Sequence, residues 1–325
     1  MSAAAARRRL YRGPPVPSER DPRPKPINAR NVLWWAARTY AWDRRRYRGR
    51  GGLPSPRGIA ATLRPNLQAP IFIIGADRSG TTFLGDCLAA VPQISYHHEP
   101  EAIKAAARHV YEEEWPYRQA RLFFRTVYGW LMRAHFDGHL RFAEKTPTNS
   151  FIVPFLARAF PDAVFIHIVR DGRDATVSHL RQPWLLAASL STGRREPGGY
   201  RHGPDARFWV EPARRREFET TSDVHRCIWS WRRHTESALL GGRHLPAQRY
   251  HELRYEDLVT DPSAEGQRLL DFLDIRGPSS RTALLDALAT ADSSSVGSRR
   301  AAFGADELAT IEIEAGALLR RLGYA

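Results

Sequence analysis

The sequence predicts an α/β fold in which a parallel sheet is covered by helices on both faces. Three observations predict it. The runs 71–74 (IFII) and 164–169 (VFIHIV) are apolar almost throughout, as strands are when both of their faces are buried. Strand patterns alternate with helical ones along most of the chain, as in sheets built from crossover units. Both runs lead through a short polar turn into a helical pattern, and the carboxyl edge of an open parallel sheet is where ligands bind.

Residues 1–62 read as a basic N-terminal extension and linker, and 63–325 as the folded domain. Stretch 1–30 is rich in Ala, Arg and Pro and is expected to be partly disordered. Stretch 31–42 (NVLWWAARTYAW) has the pattern of a short amphipathic helix, able to pack on the domain or to touch a membrane or partner. Residues 48–58 are a Gly/Pro/Arg linker. Strands are expected at 71–74, 94–96, 141–144, 164–169 and 248–254. Helices are expected at 80–91, 99–111, 115–136, 148–160, 172–181 and 220–240, then at 262–274, 279–290 and 305–322, with right-handed crossovers. Interval 182–222 mixes Gly, Pro and Arg with Trp184, Tyr200, Phe208 and Trp209. A long irregular segment in a compact domain is usually functional, and this one reads as an acceptor-binding lid.

A chain of 325 residues that is 42% hydrophobic can bury a sizeable core. No run of eighteen apolar residues suggests a transmembrane helix, and no secretory pattern opens the chain. Cys87 and Cys227 alone exclude a disulfide framework and read as inert core thiols. A cytoplasmic protein is expected. The net charge of +14 raises nucleic-acid binding through the basic N-terminus as one alternative. No helix-turn-helix, zinc-finger or RNA-recognition pattern accompanies it, so no nucleic-acid partner is expected. The charge also suits an enzyme whose substrate is a multiply charged anion.

Two segments carry chemistry. After 71–74 comes a turn from Gly75 to Ser79, and Gly80, Thr81 and Thr82 open a helix with Phe83, Leu84, Cys87, Leu88 and Val91 on its apolar face. Strand, glycine turn and helix N-terminus form a cradle for phosphate, because backbone N–H groups converge there and the helix dipole favours an anion. The spacing G-x-x-x-x-G-T-T resembles the P-loop, with Thr81 where an NTPase carries its lysine and with Arg78 as the cation. A P-loop-like nucleotide or small-molecule kinase is a second alternative. It leaves the missing lysine unexplained, and no acidic magnesium site accompanies the loop. In the second segment, Arg170 ends strand 164–169, Asp171 and Gly172 make the turn, and Ser178 lies eight residues beyond Arg170. A strand-end cation and a hydroxyl on the next helix can close on one phosphate. The blander reading makes Arg170 and Asp171 a surface ion pair.

Together the segments resemble the sulfotransferases that use 3′-phosphoadenosine-5′-phosphosulfate (PAPS). GADRSGTT is similar to their 5′-phosphosulfate loop, and IVRDGRDATVSH to their 3′-phosphate motif. YHHEP, AEKTP and LRYEDLVTDP agree. The resemblance runs from about residue 70 to the C-terminus, weakest near 182–222. The RSGTT loop resembles the tyrosylprotein and bacterial branch more than the cytosolic aryl branch, which usually carries lysine in place of Arg78. The resemblance implies a three-layer, P-loop-NTPase-like fold, with PAPS as co-substrate and no metal. It implies that Arg78, Ser79, Gly80, Thr81 and Thr82 hold the 5′-phosphosulfate, and that Arg170 and Ser178 hold the 3′-phosphate. Tyr255 would be an adenine-proximal or core tyrosine. Ser295, Arg299 and Arg300 would fold over the adenosine, unless their loop is an ordinary surface loop. Lys145 would reach the bridging oxygen or the sulfuryl group, or else pair with Glu144. Glu99 would be the base, with a helix cap as the blander role that does not exclude it, and with His98 as competitor and His97 as a weaker one. The adjacent histidines lack metal-ligand spacing. The acceptor would be hydroxyl-bearing, with a small molecule preferred. Oligomeric state stays open.

Overall fold

Five strands form one parallel sheet in the computed structural model, which describes residues 27, 31–46, 55–297 and 302–324. They are β1 (Ile71–Ile74), β2 (Ile94–His98), β3 (Arg141–Lys145), β4 (Val164–Val169) and β5 (Tyr250–Arg254), in the order β2-β3-β1-β4-β5. The helices are α1 (Val32–Arg46), α2 (Pro56–Ala61), α3 (Thr81–Ala89), α4 (Glu101–Tyr111), α5 (Tyr117–Ala134), α6 (Val153–Ala159) and α7 (Gly172–His179). They continue with α8 (Arg215–Thr220), α9 (Asp223–Gly242), α10 (Tyr255–Thr260), α11 (Pro262–Phe272), α12 (Pro278–Leu288) and α13 (Ala305–Arg321).

β1 is central. It pairs with β3 in the register Ile73↔Lys145 and with β4 in the register Ile74↔His167. Strand alternation sends its side chains into two cores. Ile71 and Ile73 pack with Leu84 and Leu88 of α3 and with Leu269 and Leu284 of α11 and α12. Phe72 and Ile74 share the opposite core with Ala102 of α4, Phe124 and Tyr128 of α5 and Leu156 of α6. Helices therefore cover both faces, and the expected three-layer α/β architecture is the one observed. A third cluster joins Val169 at the end of β4 to α7, α9 and α13 through Ala175, Ile228, Trp231 and Ala315.

Local chemistry moves several boundaries. The expected helix 148–160 is a 3₁₀ turn, Pro147–Phe151, followed by α6. Pro154, without an N–H, suits the first turn of a helix and not its interior. The expected helix 220–240 divides into α8 and α9, and the Ser222 side chain caps α9 by accepting from the His225 N–H at 3.2 Å. The Gly/Pro/Arg linker leads into α2, where Ser55 accepts from the Gly58 N–H at 3.0 Å. Helix α1 buries Trp35 and Thr39 against α4 and α5, and the Ala102 N–H donates to Thr39 Oγ1 at 3.0 Å. The stretch 1–26, expected to be disordered, lies outside the described residues, as do Arg299 and Arg300. Cys87 and Cys227 are free and buried, and burial pushes the Cys87 thiol up to about 12. No described helix is long and apolar enough to cross a membrane.

α3 lies so close to β2 that a Cβ on Gly85 would meet the Tyr96 hydroxyl at 1.9 Å. Gly85→Ala should therefore lower the urea midpoint by an overpacking loss of about 1–3 kcal/mol. Adding Tyr96→Phe should recover part of it. An unchanged midpoint in the single variant would show that the contact does not constrain α3.

Candidate active site

The carboxyl ends of the strands share one edge, because the sheet is parallel. After β1 the chain turns through Gly75 to Gly80. Within it Arg78 takes a left-handed conformation, φ 67°, unusual for a residue with a Cβ. Gly80 has φ 93° and precedes α3, and a Cβ there would lie 2.4 Å from the Tyr255 ring. No side chain caps α3. Its first N–H groups, at Thr81 and Thr82, thus form a positive end ready for an anion. Ser79 Oγ is buried and has no hydrogen-bond partner among the described residues. Such an orphaned polar atom fits a phosphate-bearing ligand.

The two expected anion-binding segments meet. Arg78 Nε donates to Ser178 Oγ at 3.0 Å, and Arg170 Nη1 donates to the Arg78 carbonyl at 3.0 Å. Arg170 is a buried residue and not a surface one. Its guanidinium lies 4.6 Å from the centre of the Tyr255 ring, and its carbonyl accepts from Trp231 Nε1 at 3.0 Å. Asp171 caps α7 through the Arg173 N–H at 2.9 Å and pairs with the Arg173 guanidinium at 2.8 Å. The Tyr255 hydroxyl donates to the Asp292 carbonyl at 3.4 Å, and the Gly297 N–H donates to Asp174 at 2.7 Å. The backbone of Ser295 lies in the 3₁₀ turn between these two ties.

A second cluster sits at the ends of β2 and β3. Glu99 is also left-handed, φ 42°, and its N–H donates to the Lys145 carbonyl at 2.8 Å. Its carboxylate accepts from Lys145 Nζ at 2.5 Å and from Lys104 Nζ at 3.0 Å, with His98 Nε2 at 3.9 Å. Burial alone would raise the Glu99 carboxyl. Lys104, then Lys145 and His98, outweigh burial and hold it well below the ordinary carboxylate range. Burial would likewise lower the Lys104 ammonium, but Glu99, Glu196 and Asp77 raise it above its usual value. The helix-cap alternative for Glu99 is not realised, since Pro100 stands at the N-cap of α4. Nor does Lys145 pair with Glu144, because neighbours on a strand face opposite ways. Glu144 instead accepts from Tyr128 and from Asn149 Nδ2, the latter at 2.8 Å. Burial pushes its carboxyl up to about 7. His97 turns away from the cluster and stacks on Phe142.

One cavity reaches from the phosphate loop to this cluster. Asp77 of the loop, Lys104 of α4, His179 of α7 and His234 of α9 line it, and Trp184, Leu185, Glu196, Arg207 and Trp209 close it from segment 182–222. Burial lowers His179 to about 4 and His234 below its ordinary value, which favours neutral imidazoles. The segment is packed against the domain. Phe208 and Trp209 are buried beside Phe151, and Trp184 meets His179 edge-on. Arg207 organises it by donating to the carbonyls of Gly203 at 2.8 Å and Trp184 at 2.7 Å, to that of Asp205, and to Glu196 at 2.7 Å. Sequence reasoning missed Lys104, Glu196 and Arg207. Lys104 had a signal, since it lies one helical turn beyond the start of α4 on the side of Glu99. The Arg207 partners are mostly carbonyls, which leave no trace in residue type.

A parallel sheet whose glycine turn opens an uncapped helix, beside two interlocked arginines, is a P-loop-like α/β architecture. The family model described as the sulfotransferase family matches residues 70–278. That is more than half of the chain, which belongs to this family. Similar curated proteins include the omega-hydroxy-beta-dihydromenaquinone-9 sulfotransferase Stf3 of Mycobacterium bovis (strain ATCC BAA-935 / AF2122/97) and that of Mycobacterium tuberculosis (strain CDC 1551 / Oshkosh). Each is 28% identical over 159 residues, covering 48% of this chain and 34% of the relative. The chain thus spans about a third of the length of these relatives. Among solved structures, the sulfotransferase domain from the curacin biosynthetic pathway aligns over 80% of this chain and 99% of its own, at 19% identity and TM-score 0.46.

Arg207→Ala should release the segment that Arg207 organises. Proteolysis between residues 184 and 209 should accelerate, and stability should fall by about 2–3 kcal/mol. Arg207→Lys should recover little, since an ammonium cannot reproduce the planar fork. Wild-type protease resistance in Arg207→Ala would refute this role.

Proposed function

We propose that this protein transfers a sulfuryl group from PAPS to the hydroxyl of a small-molecule acceptor by in-line displacement. The observation that carries the reading is the lock between Arg78 and Arg170, shared with Ser178, beside the uncapped end of α3. A donor with phosphate groups at two positions needs two cationic points at a set separation. Arg78 and the N–H groups of Ser79 to Thr82 suit the 5′-phosphosulfate. Arg170 and Ser178 suit the 3′-phosphate. Tyr255, stacked on Arg170, suits a place beside the adenine. The donor supplies an activated sulfuryl group whose leaving phosphate oxygen takes the electron pair.

Glu99 acts as the base. It accepts the acceptor's hydroxyl proton as the new O–S bond forms and the S–O bond to the phosphate breaks. The hydroxyl grows more acidic along that path, so a carboxylate held ionised by two lysines remains a competent base. Lys145, already beside Glu99, is the cation for charge on the departing oxygen. Segment 182–222 serves as the acceptor lid. The two curated relatives are named for a hydroxylated menaquinone. A hydroxyl-bearing small molecule also fits a cavity whose apolar walls are Trp184, Leu185 and Trp209.

Adenosine 3′,5′-bisphosphate should raise the melting temperature well above the effect of AMP at equal concentration, since stabilisation follows RT ln(1 + [L]/Kd). Arg170→Ala should abolish most of the difference while changing the acceptor KM little. Equal shifts for the two nucleotides would eliminate the 3′-phosphate site.

Glu99→Gln should keep bisphosphate binding and lower kcat by roughly 10²-fold or more, while His98→Ala should lose less. The depressed Glu99 carboxyl also sets the pH profile. Because the group stays ionised as pH falls, the acid limb of kcat/KM should lie below the ordinary Glu value of about 4.3. An acid limb near the histidine value of about 6.5, removed by His98→Ala, would assign the base to His98.

A further inference from the structure

Asp43, His97 and His135 converge from α1, β2 and the residue that ends α5. Asp43 Oδ2 lies 3.2 Å from His97 Nδ1 and 2.7 Å from His135 Nε2. The three donor atoms all fall within 4.8 Å of one another. Asp43 and His97 are buried, whereas the His135 side chain keeps 17% of its surface exposed. The second carboxylate oxygen, Asp43 Oδ1, is buried without a hydrogen-bond partner among the described residues. Phe142 stacks on the His97 ring, and Tyr40 lies 5.3 Å from the His135 ring, so the walls are largely aromatic.

The hydrogen bonds behind His97 orient it. Ser95 Oγ donates to Asp137 Oδ2 at 3.0 Å, which uses the only hydroxyl proton. The contact between Ser95 Oγ and His97 Nε2, also 3.0 Å, then needs the proton on Nε2. In the neutral ring Nδ1 then carries the lone pair and faces Asp43 Oδ2, and a cation between them takes the place of the proton that their 3.2 Å hydrogen bond otherwise needs. A ligating imidazole fixed through its other nitrogen by a polar chain is a recurrent feature of metal sites.

We propose that Asp43, His97 and His135 bind a divalent transition metal, zinc by the chemistry of the donors, which clips α1 to β2 and the end of α5. Two imidazoles and a carboxylate suit zinc, and Asp43 Oδ1 or a water would supply the fourth ligand. Tetrahedral ligands at zinc distances stand about 3.3 Å apart. The 3.2 Å pair meets that value, and the 2.7 Å pair opens by about 0.6 Å. The partly exposed edge at His135 provides the entry. A second convergence, Glu217, His225 and Glu314, differs in kind, because Arg214 and Arg232 already lie 2.7 Å from Glu314. The metal serves position and not reaction. α1 holds the start of α4 through Thr39 to Ala102 and Arg38 to Glu101, just beyond Glu99.

The test uses the full chain, stripped with a chelator and reloaded with Zn²⁺ or Co²⁺. Elemental analysis after desalting should find about one zinc per chain. Cobalt should give the intense visible absorption of a tetrahedral site. Zinc at roughly a hundredfold over its Kd should raise the melting temperature by roughly 5 °C. His135→Ala, at the edge of the site where folding is least affected, should remove all three signals, and Asp43→Asn should do the same. The proposal is overturned if the wild type retains no zinc and gives no cobalt absorption. It is equally overturned if both signals persist in His135→Ala, which would place the metal elsewhere.

Discussion

β1 is hydrogen-bonded along both edges and buried on both faces, and the candidate site depends on that constraint. Parallel pairing with β3 and β4 brings three carboxyl ends to one edge of the sheet. The loop with Arg78, the turn with Arg170 and the strand end with Lys145 become neighbours although far apart in sequence. A short central strand suffices because both cores press on it. Its four side chains alternate between the core of α3, α11 and α12 and that of α4, α5 and α6. Slipping its register by one residue would exchange those faces and carry Arg78 away from Ser178.

Cations crowd this edge, and the fold holds them in two different ways. Arg170 is buried, but the Arg78 carbonyl accepts from it and the Tyr255 ring faces it. Planarity lets one guanidinium use both contacts, which an ammonium could not do. Lys104 and Lys145 share one carboxylate, Glu99. Like charges so close would repel without it, and a buried carboxylate would be protonated without them. The left-handed backbone at Glu99 and at Arg78 belongs to the same picture. Each places a charged side chain where a regular strand or helix would have turned it away, and strained conformations of this kind cluster at functional sites.

The wall that segment 182–222 gives the cavity is organised mainly by hydrogen bonds. Segment 182–222 holds together because the Arg207 guanidinium collects carbonyls from two stretches of it and the Glu196 carboxylate from a third. Phe208 and Trp209 then anchor it in the core. A segment built this way can change its cavity-facing residues while keeping its attachment.

The sequence by itself determined the alternation of strands and helices, the glycine turn that opens α3, and the placing of Arg170 and Ser178 on one strand–helix unit. These features rest on periodicity and turn chemistry, which neighbouring residues encode. It also singled out Glu99 and Lys145, though not that they touch. Only the tertiary structure decided that Lys104 shares the carboxylate, that Glu144 faces the opposite way, that Tyr255 lies on Arg170, and that His97 meets Asp43 and His135 instead of the cavity. The physical reason is the same in each case. A hydrogen bond or ion pair depends on separations of a few ångströms between side chains from different elements, and no local pattern in the chain records which elements the sheet order will bring together.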